Sequence, residues 1–138
     1  MIINGENLVL GRLASYVSKQ VMRGEKVDVV NCEKVIITGN KESILKDYRE
    51  RDEIGSVSKG PFYPRMPDRF VRRVIRGMLA YKQPRGREAF DKTMCYIGVP
   101  NELKDKKLES IKEAHLDTKR TTFITVGELC RIRWGKKS

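Results

Sequence analysis

The sequence predicts an α/β fold whose sheet is mainly parallel. Short runs of β-branched residues alternate along the chain with segments in which apolar residues recur at helical spacing. Clusters of glycine and proline separate these segments, and no internal repeat, low-complexity tract or linker divides the 138 residues. We therefore expect one domain over residues 1–138, which is a common size for a single core.

The N-terminal part predicts three strands and one helix. Residues 1–3 form a short apolar start that suits an edge strand. Residues 11–24 predict a helix, because apolar residues recur every three or four positions and Gly24 can end it. The β-branched runs at residues 26–31 and 35–38 predict two further strands.

The central part predicts two helices separated by a loop. Residues 41–51 resemble a polar helix with one apolar side. Glycines and prolines punctuate residues 54–67 and indicate a loop, and residues 68–80 return to helical periodicity. Residues 83–86 then predict another turn, because they contain both proline and glycine.

The C-terminal part predicts two strands and a short helix. Residues 94–99 predict a strand that Pro100 ends, and residues 101–117 are helix-prone but highly charged. Residues 121–126 form a β-branched run, and residues 127–134 suit one or two helical turns. We expect these side chains to serve the core only: Leu13, Val17, Val29, Val35 and Ile97.

Composition excludes several classes of protein. Hydrophobic residues make up 39% of the chain and charged residues 34%, and the apolar residues lie in patterned runs, which is not typical of disorder. No apolar run approaches the roughly 20 residues that span a bilayer. The N-terminus lacks the positive stretch and long apolar run of a signal peptide. We expect a cytoplasmic protein with no membrane partner.

The cysteines and the histidine argue against metal and catalytic sites. Cys32, Cys95 and Cys130 are far apart and form no C-x-x-C motif, so we expect three small buried thiols without a disulfide or zinc. His115 lies alone in a charged segment, where it is a poor candidate for a general base. We expect no cofactor, no metal and no catalytic residue.

The alternative of a nucleotide-using enzyme depends on two glycine-containing turns. Gly5 and Gly11 precede the first predicted helix, and residues 37–43 read ITGNKES. Neither turn has the spacing of a P-loop or of a dinucleotide-binding turn, and an α/β fold alone does not confer nucleotide binding. We expect no small-molecule substrate.

The charge is concentrated in one segment and one tail. The net charge is +11 and the isoelectric point about 9.8, which implies a polyanionic partner, either nucleic acid or an anionic membrane surface. Residues 59–87 hold nine basic groups and one acid, a net of +8, and residues 129–138 add +4. Residues 1–58 are neutral, and residues 88–128 carry −1. A protein that needed only solubility would intersperse its charges.

The segment at residues 68–80, DRFVRRVIRGMLA, predicts a helix with a basic face. Its four arginines fall within roughly 100° of arc, opposite an apolar face. They repel one another, and phosphates relieve that repulsion because each guanidinium forms a forked pair with phosphate oxygens. The alternative is a solvated face, or one paired with acids from elsewhere in the fold. If the arginines bind phosphates, Arg72→Ala should weaken binding and hardly change stability.

The flanking residues extend the same charge. Phe62 and Tyr63 lie in the preceding basic loop, where they could stack on unpaired bases or pack on the core. Gly60, Gly77 and Gly86 could permit close approach of the backbone, although a helix end or tight packing also explains Gly77. The expected RNA-binding residues are Lys59, Gly60, Phe62, Tyr63, Arg65, Arg69, Arg72, Arg73, Arg76, Lys82, Arg85 and Arg87, and possible additional contacts are Arg12, Arg131, Arg133, Lys136 and Lys137.

Several of these segments resemble one family. LGRLAS (residues 10–15), VVNCEKVIITGNK (29–41), PRMPDRFVRR (64–73), VIRGMLAYKQPRGREAF (74–90) and YIGVP (96–100) occur in order, and together they resemble the ribosomal protein L13 family of the large subunit. RGML followed by a basic turn is the most specific of these motifs. The short chain looks like the archaeal type.

The resemblance implies a fold, a function and partners. It implies a three-layer α/β/α fold with a four-stranded parallel core sheet. It also implies a place in the large ribosomal subunit, bound to its RNA and to neighbouring ribosomal proteins, with an early role in assembly. An mRNA-binding regulator off the ribosome would use the same basic face and stays open as an alternative.

Overall fold

A computed structural model describes residues 1–53, 66–111, 114–115 and 122–134. Within these ranges helices alternate with short strands, and the largest sheet is parallel. The mixed α/β class and the parallel pairing that the sequence predicts are therefore confirmed.

The parallel sheet has β2 (Val27–Val30) at its centre. β1 (Ile2–Asn4) lies on one side and β4 (Thr93–Cys95) on the other, and Ile3 of β1 lies opposite Val29 of β2. Three of the four β2 residues are fully buried, as expected for a parallel strand that is covered on both faces.

Glu109 pairs with the outer side of β1. The backbone N–H of Asn4 donates to the carbonyl oxygen of Glu109, and the N–H of Glu109 donates to that of Ile2, both at 2.8 Å. The bridge between Ile3 and Glu109 is parallel. β1 is the outermost of the three strands, as the sequence predicts, and residue 109 pairs with its free edge.

A second, antiparallel pair joins the two remaining strands. β3 (Ile36–Thr38) pairs with β5 (Phe123–Thr125), and Ile37 lies opposite Ile124. Both strands occur where the β-branched runs predict them. A parallel bridge from Val9 to the first residue of β3 links this pair to the N-terminal segment.

The first two helices also match their predictions. α1 (Leu10–Met22) buries most of its apolar residues, although Met22 at its end is exposed. Gly24 follows it with φ +97°, a conformation in which glycine is favoured. α2 (Lys41–Glu53) begins after Asn40, whose side-chain oxygen accepts hydrogen bonds from the N–H groups of Glu42 (2.8 Å) and Ser43 (3.4 Å). That cap defines where the helix starts.

The predicted turn at residues 83–86 is wrong, because a helix starts there. α4 (Pro84–Asp91) has its proline at the first helical position, where the missing N–H costs nothing. Gly86 lies inside the helix, and a Cβ atom there would sit 1.9 Å from the carbonyl oxygen of Ala80. Glycine is therefore needed for packing against the preceding turn.

Three expectations for the chain from β4 onward also differ from the structure. The strand predicted at 94–99 ends at Cys95, and Ile97, expected in the core, is 44% exposed. Beyond β4 the chain still bonds to the end of β2: the N–H of Tyr96 donates to the carbonyl oxygen of Val29 (2.8 Å), and the carbonyl oxygen of Gly98, which has φ +66°, accepts from the N–H of Asn31 (3.0 Å). Within residues 101–111 the helix-prone run forms only the 3-10 helix Asn101–Leu103, because residue 109 pairs with β1 instead.

The main core draws on residues from Ile3 to Cys130. It includes the predicted core residues Leu13, Val17, Val29 and Val35, each fully buried. All three cysteines are buried, as predicted. α5 (Val126–Trp134) confirms the final helix and packs against the 3-10 helix Cys32–Lys34. In the part of the chain described, no helix has the length and apolar character to cross a bilayer.

Candidate nucleic-acid interface

The basic helix exists as predicted and is anchored by its apolar face. α3 (Pro67–Gly77) begins with proline at its first position and has Asp68 in its first turn, where a negative charge suits the helix dipole. Phe70, Val71 and Ile75 are buried against the core. The opposite face is thereby turned away from the core, which is the arrangement that the periodicity predicts.

The four arginines of α3 line one groove. Arg69, Arg72, Arg73 and Arg76 surround a space of about 260 Å³ together with Phe90 of α4. None of the described residues that line this groove is acidic. We call it the arginine groove. Its size and charge suit a phosphate-bearing ligand better than a neutral one.

Arg72 is held by the protein itself. Its Nε donates to the carbonyl oxygen of Thr93 at 3.0 Å, and its Nη2 donates to that of Phe90 at 3.4 Å. Its guanidinium carbon lies 3.9 Å from the centre of the Phe90 ring, a cation–π contact. The expectation that Arg72→Ala would hardly change stability is therefore revised, because Arg72 joins α3 to the start of β4.

The other arginines of the groove differ in their contacts. Arg69 is exposed, and Arg76 places its guanidinium carbon 4.7 Å from the centre of the Tyr81 ring. Arg73 is partly buried and also makes contacts within the fold. Judged by their described contacts, Arg69 and Arg76 therefore contribute less to the stability of the fold than Arg72 does.

The predicted C-terminal flank is exposed. Lys82 precedes α4, and Arg85 and Arg87 lie on it, all three open to solvent. Gly86 lies between these two arginines, but the close contact with Ala80 explains it without any ligand. Gly77 is the last residue of α3 and has open space around it, which excludes the tight-packing explanation.

Other predicted site residues fall in different places. Arg131 is exposed on α5, and Arg133 is on the same helix. Arg12 is exposed on α1 and lines a separate groove. The remaining predicted site residues lie outside the described part of the chain: Lys59, Gly60, Phe62, Tyr63, Arg65, Lys136 and Lys137.

Sequence reasoning missed two aromatic residues and one lysine. Phe90 and Tyr81 each stack with an arginine of α3, and Lys19 lines the same separate groove as Arg12. The spacing of Lys19, seven residues after Arg12, places both on one helix face and was the available signal. No local pattern connects Phe90 to Arg72, because 18 residues separate them.

The remaining reactive side chains have ordinary structural roles. A hydrogen bond with Cys95 and burial raise the pKa of the Cys32 thiol, so it stays protonated at neutral pH and is a poor nucleophile. His115 Nε2 lies 2.7 Å from Ser110 Oγ. Among the described residues no group of histidine, cysteine or carboxylate side chains could hold a metal ion.

The fold and the groove define a class of protein: a basic α/β protein that presents a cluster of arginines suited to a polyanion. Comparison with known proteins makes this specific. A family model described as ribosomal protein L13 matches residues 1–102. The chain belongs to the ribosomal protein L13 family, a structural and non-enzymatic family.

Several archaeal proteins are similar to nearly all of this chain. The large ribosomal subunit protein uL13 of Methanopyrus kandleri is 46% identical over 131 residues, covering 93% of this chain and 82% of the relative. That of Methanococcus maripaludis is 48% identical over 141 residues, covering 99% and 98%. That of Methanosarcina barkeri is 45% identical over 130 residues, covering 93% of each. The resemblance to the archaeal type is confirmed.

Proposed function

We propose that this chain is a structural constituent of the large ribosomal subunit, located with it in the cytoplasm, and that it holds ribosomal RNA in the arginine groove. The observation that carries the proposal is the convergence of four arginines on one groove without a lining carboxylate among the described residues. Its membership of the ribosomal protein L13 family supports the same role.

The four arginines of the groove have different roles in the proposed RNA binding. Arg72 is preorganised for binding, because its two hydrogen bonds and its stacking on Phe90 fix the orientation of its guanidinium group. Arg69, Arg73 and Arg76 bring three further positive charges to the same groove. Phosphates bound there release condensed counterions, which makes the affinity depend steeply on salt. Backbone binding of this kind positions the protein on its RNA without reading sequence.

The flanks extend the contact along the chain. We propose that residues 59–87 act as one RNA-binding segment within a single domain of residues 1–138. Its contacts would include Lys82, Arg85 and Arg87 after the helix. On the N-terminal side they would include Lys59, Gly60, Phe62, Tyr63 and Arg65, and the tail at residues 129–138 would add Arg131, Arg133, Lys136 and Lys137.

We also propose a specific layer arrangement and strand number for the fold. We expect a three-layer α/β/α arrangement with a four-stranded parallel core sheet. The parallel bridge from Glu109 to Ile3 supports a fourth strand position beside β1. The complete burial of Val27, Val29 and Val30 in β2 supports cover on both faces. Neighbouring large-subunit proteins would be the other partners of the assembled chain.

Sedimentation of the native protein tests this function. Ribosomes from the source cell are separated on a gradient after a moderate salt wash, and the protein is counted by quantitative mass spectrometry. We expect about one copy per large subunit and very little at the top of the gradient. A mostly free protein during fast growth would contradict the proposal and favour an mRNA-binding regulator. Micromolar binding and turnover of ATP, GTP or NAD in equilibrium dialysis would instead favour an enzyme.

A further inference from the structure

A second groove lies on α1, away from the arginine groove. Its volume is about 420 Å³, and basic, polar and apolar residues line it: Val9, Gly11, Arg12, Ser15, Tyr16, Lys19, Ile111 and Ala114. None of the described residues that line it is acidic. We call it the α1 groove. Arg12 also donates from Nη1 to the carbonyl oxygen of His115 at 3.5 Å and has further contacts within the fold, whereas Lys19 is exposed.

The arrangement of α1 repeats that of α3. The buried residues Leu13, Val17 and Val21 occupy one face of the helix, and Arg12 and Lys19 occupy the opposite one. These two basic residues are seven positions apart, which is roughly 10 Å along the helix axis. The separation is large enough for the two cations to contact different phosphates of one strand.

Gly11 gives an independent reason to look for a ligand. A glycine inside a helix is unfavourable relative to alanine unless packing or a positive φ requires it. At Gly86 packing requires it, because an added Cβ would lie 1.9 Å from the carbonyl oxygen of Ala80. At Gly11 nothing lies within 4 Å of an added Cβ. Gly11 is the second residue of α1, and the open space above its backbone is part of the α1 groove.

From these observations we infer that the α1 groove is a second RNA-binding surface, which takes the phosphate backbone of a further RNA segment between Arg12 and Lys19 and lets it approach the helix closely at Gly11. This inference extends the proposed function and depends on it. The two grooves lie on different helices that pack together, with Ser15 of α1 donating to the sulfur of Met78 just after α3 (3.6 Å). The protein therefore connects two RNA segments through one rigid helix pair.

RNA binding by variants of the α1 groove tests this inference. The first variant should weaken RNA binding without destabilising the fold. Gly11→Glu places a better helix former and a negative charge in the first turn of α1, so the thermal midpoint should not fall. The same carboxylate should repel phosphate and lower the affinity for purified large-subunit ribosomal RNA several-fold. Lys19→Gln should reduce the slope of log affinity against log salt by roughly 0.7 to 0.9.

A matched control and a reference variant separate this inference from the proposed function. Lys46→Gln removes one exposed lysine from α2, outside both grooves, and should change neither affinity nor slope. Arg76→Gln, in the arginine groove, serves as the reference. If Gly11→Glu and Lys19→Gln bind RNA like the parent while Arg76→Gln is weakened, the α1 groove is not an RNA site and the proposed function stands. If Arg76→Gln also binds like the parent, the part of the proposed function that places RNA in the arginine groove is wrong.

A third result would identify a different kind of partner. Gly11→Glu protein that binds free RNA normally but fails to enter large subunits in reconstitution would assign the α1 groove to a neighbouring protein. That result would overturn the inference, because the proposed ligand is the RNA backbone.

Discussion

α2 and α3 contain the same number of basic residues and use them differently. Each helix has four lysines or arginines, but α2 also has five acids whereas α3 has only Asp68. In α2 the opposite charges alternate at helical spacing, as with Glu42, Lys46 and Glu50, so they neutralise one another on the surface. The arrangement of the charge, and not the number of cations, therefore distinguishes a solvated helix from a candidate binding surface.

The two helices also differ in how firmly they are anchored. α3 has three buried residues from two successive turns, and Arg72 attaches it to the chain that leads into β4. In α2, Ile44 is buried and Leu45 and Tyr48 are partly buried. A binding surface that concentrates like charges must be held in place by other contacts, because its own charges repel.

The largest expected effect is the loss of the anchor of α3. Ile75 is fully buried, so Ile75→Asp places an unpaired charge in the core and should destabilise the fold by at least about 3 kcal/mol. Thermal unfolding followed by circular dichroism measures this. Lys46→Gln on the exposed side of α2 is the control and should cost no more than about 1 kcal/mol, because only the pairing with Glu42 and Glu50 is lost. A cooperative Ile75→Asp transition at the parent temperature would show that α3 is not anchored through this face.

The next effect distinguishes Arg72 from the other groove arginines. Arg72→Ala removes two hydrogen bonds to backbone carbonyls and the stacking on Phe90. Because Arg72 is only partly buried, we expect a loss of about 1–3 kcal/mol, measured by urea unfolding. Arg69→Ala is the matched control, since Arg69 is exposed, and should change stability by less than about 0.5 kcal/mol. Equal stability of the two variants would refute the division of roles.

The difference between Arg72 and Arg69 also shows which features of the site could not be predicted from the sequence. Helical periodicity predicts α1 and α3 and places all four arginines on one face, because that information is local. It does not reveal the carbonyls that hold Arg72, because they belong to Phe90 and Thr93, at the end of α4 and the start of β4. For residues 83–86, before these carbonyls, the sequence predicts a turn because proline and glycine often interrupt helices, whereas Pro84 begins α4 and Gly86 lies inside it.

The exposed Ile97 and residue 109 show the same limit. An apolar run of six residues predicts a strand, but β4 ends at Cys95 and Ile97 is 44% exposed. A charged, helix-prone segment becomes extended at residue 109 because β1 offers it two backbone hydrogen bonds. At residue 109 a tertiary contact therefore overrides a weak local preference.

A smaller effect is expected from a single groove arginine. Arg76→Gln should reduce the slope of log affinity for ribosomal RNA against log salt by roughly 0.7 to 0.9, the contribution of one phosphate contact. Stability should fall by about 0.5 to 1 kcal/mol at most, because only the stacking on Tyr81 is lost among its described contacts. Filter binding across a salt series checks the slope. A stability loss as large as that of Arg72→Ala would assign Arg76 to the fold as well.

The smallest effect is expected on the exposed flank. Arg85 lies on α4, outside the residues that line the arginine groove. Arg85→Gln should reduce the salt slope by less than Arg76→Gln does, with no change in the urea midpoint. A larger reduction than that of Arg76→Gln would move the centre of the binding surface from α3 to α4.

The most direct test of the central claim compares two double variants that remove the same charge. Arg69 and Arg76 are replaced by Gln in α3, and Lys46 and Arg49 are replaced by Gln in α2, so the net charge falls from +11 to +9 in both. Binding to purified large-subunit ribosomal RNA is then measured across a salt series. We expect the slope to fall by roughly 1.4 to 1.8 in the α3 variant and to remain at the parent value in the α2 variant. Equal reductions in the two variants would contradict the account, because they would show that RNA binding follows total charge and not the arginine groove.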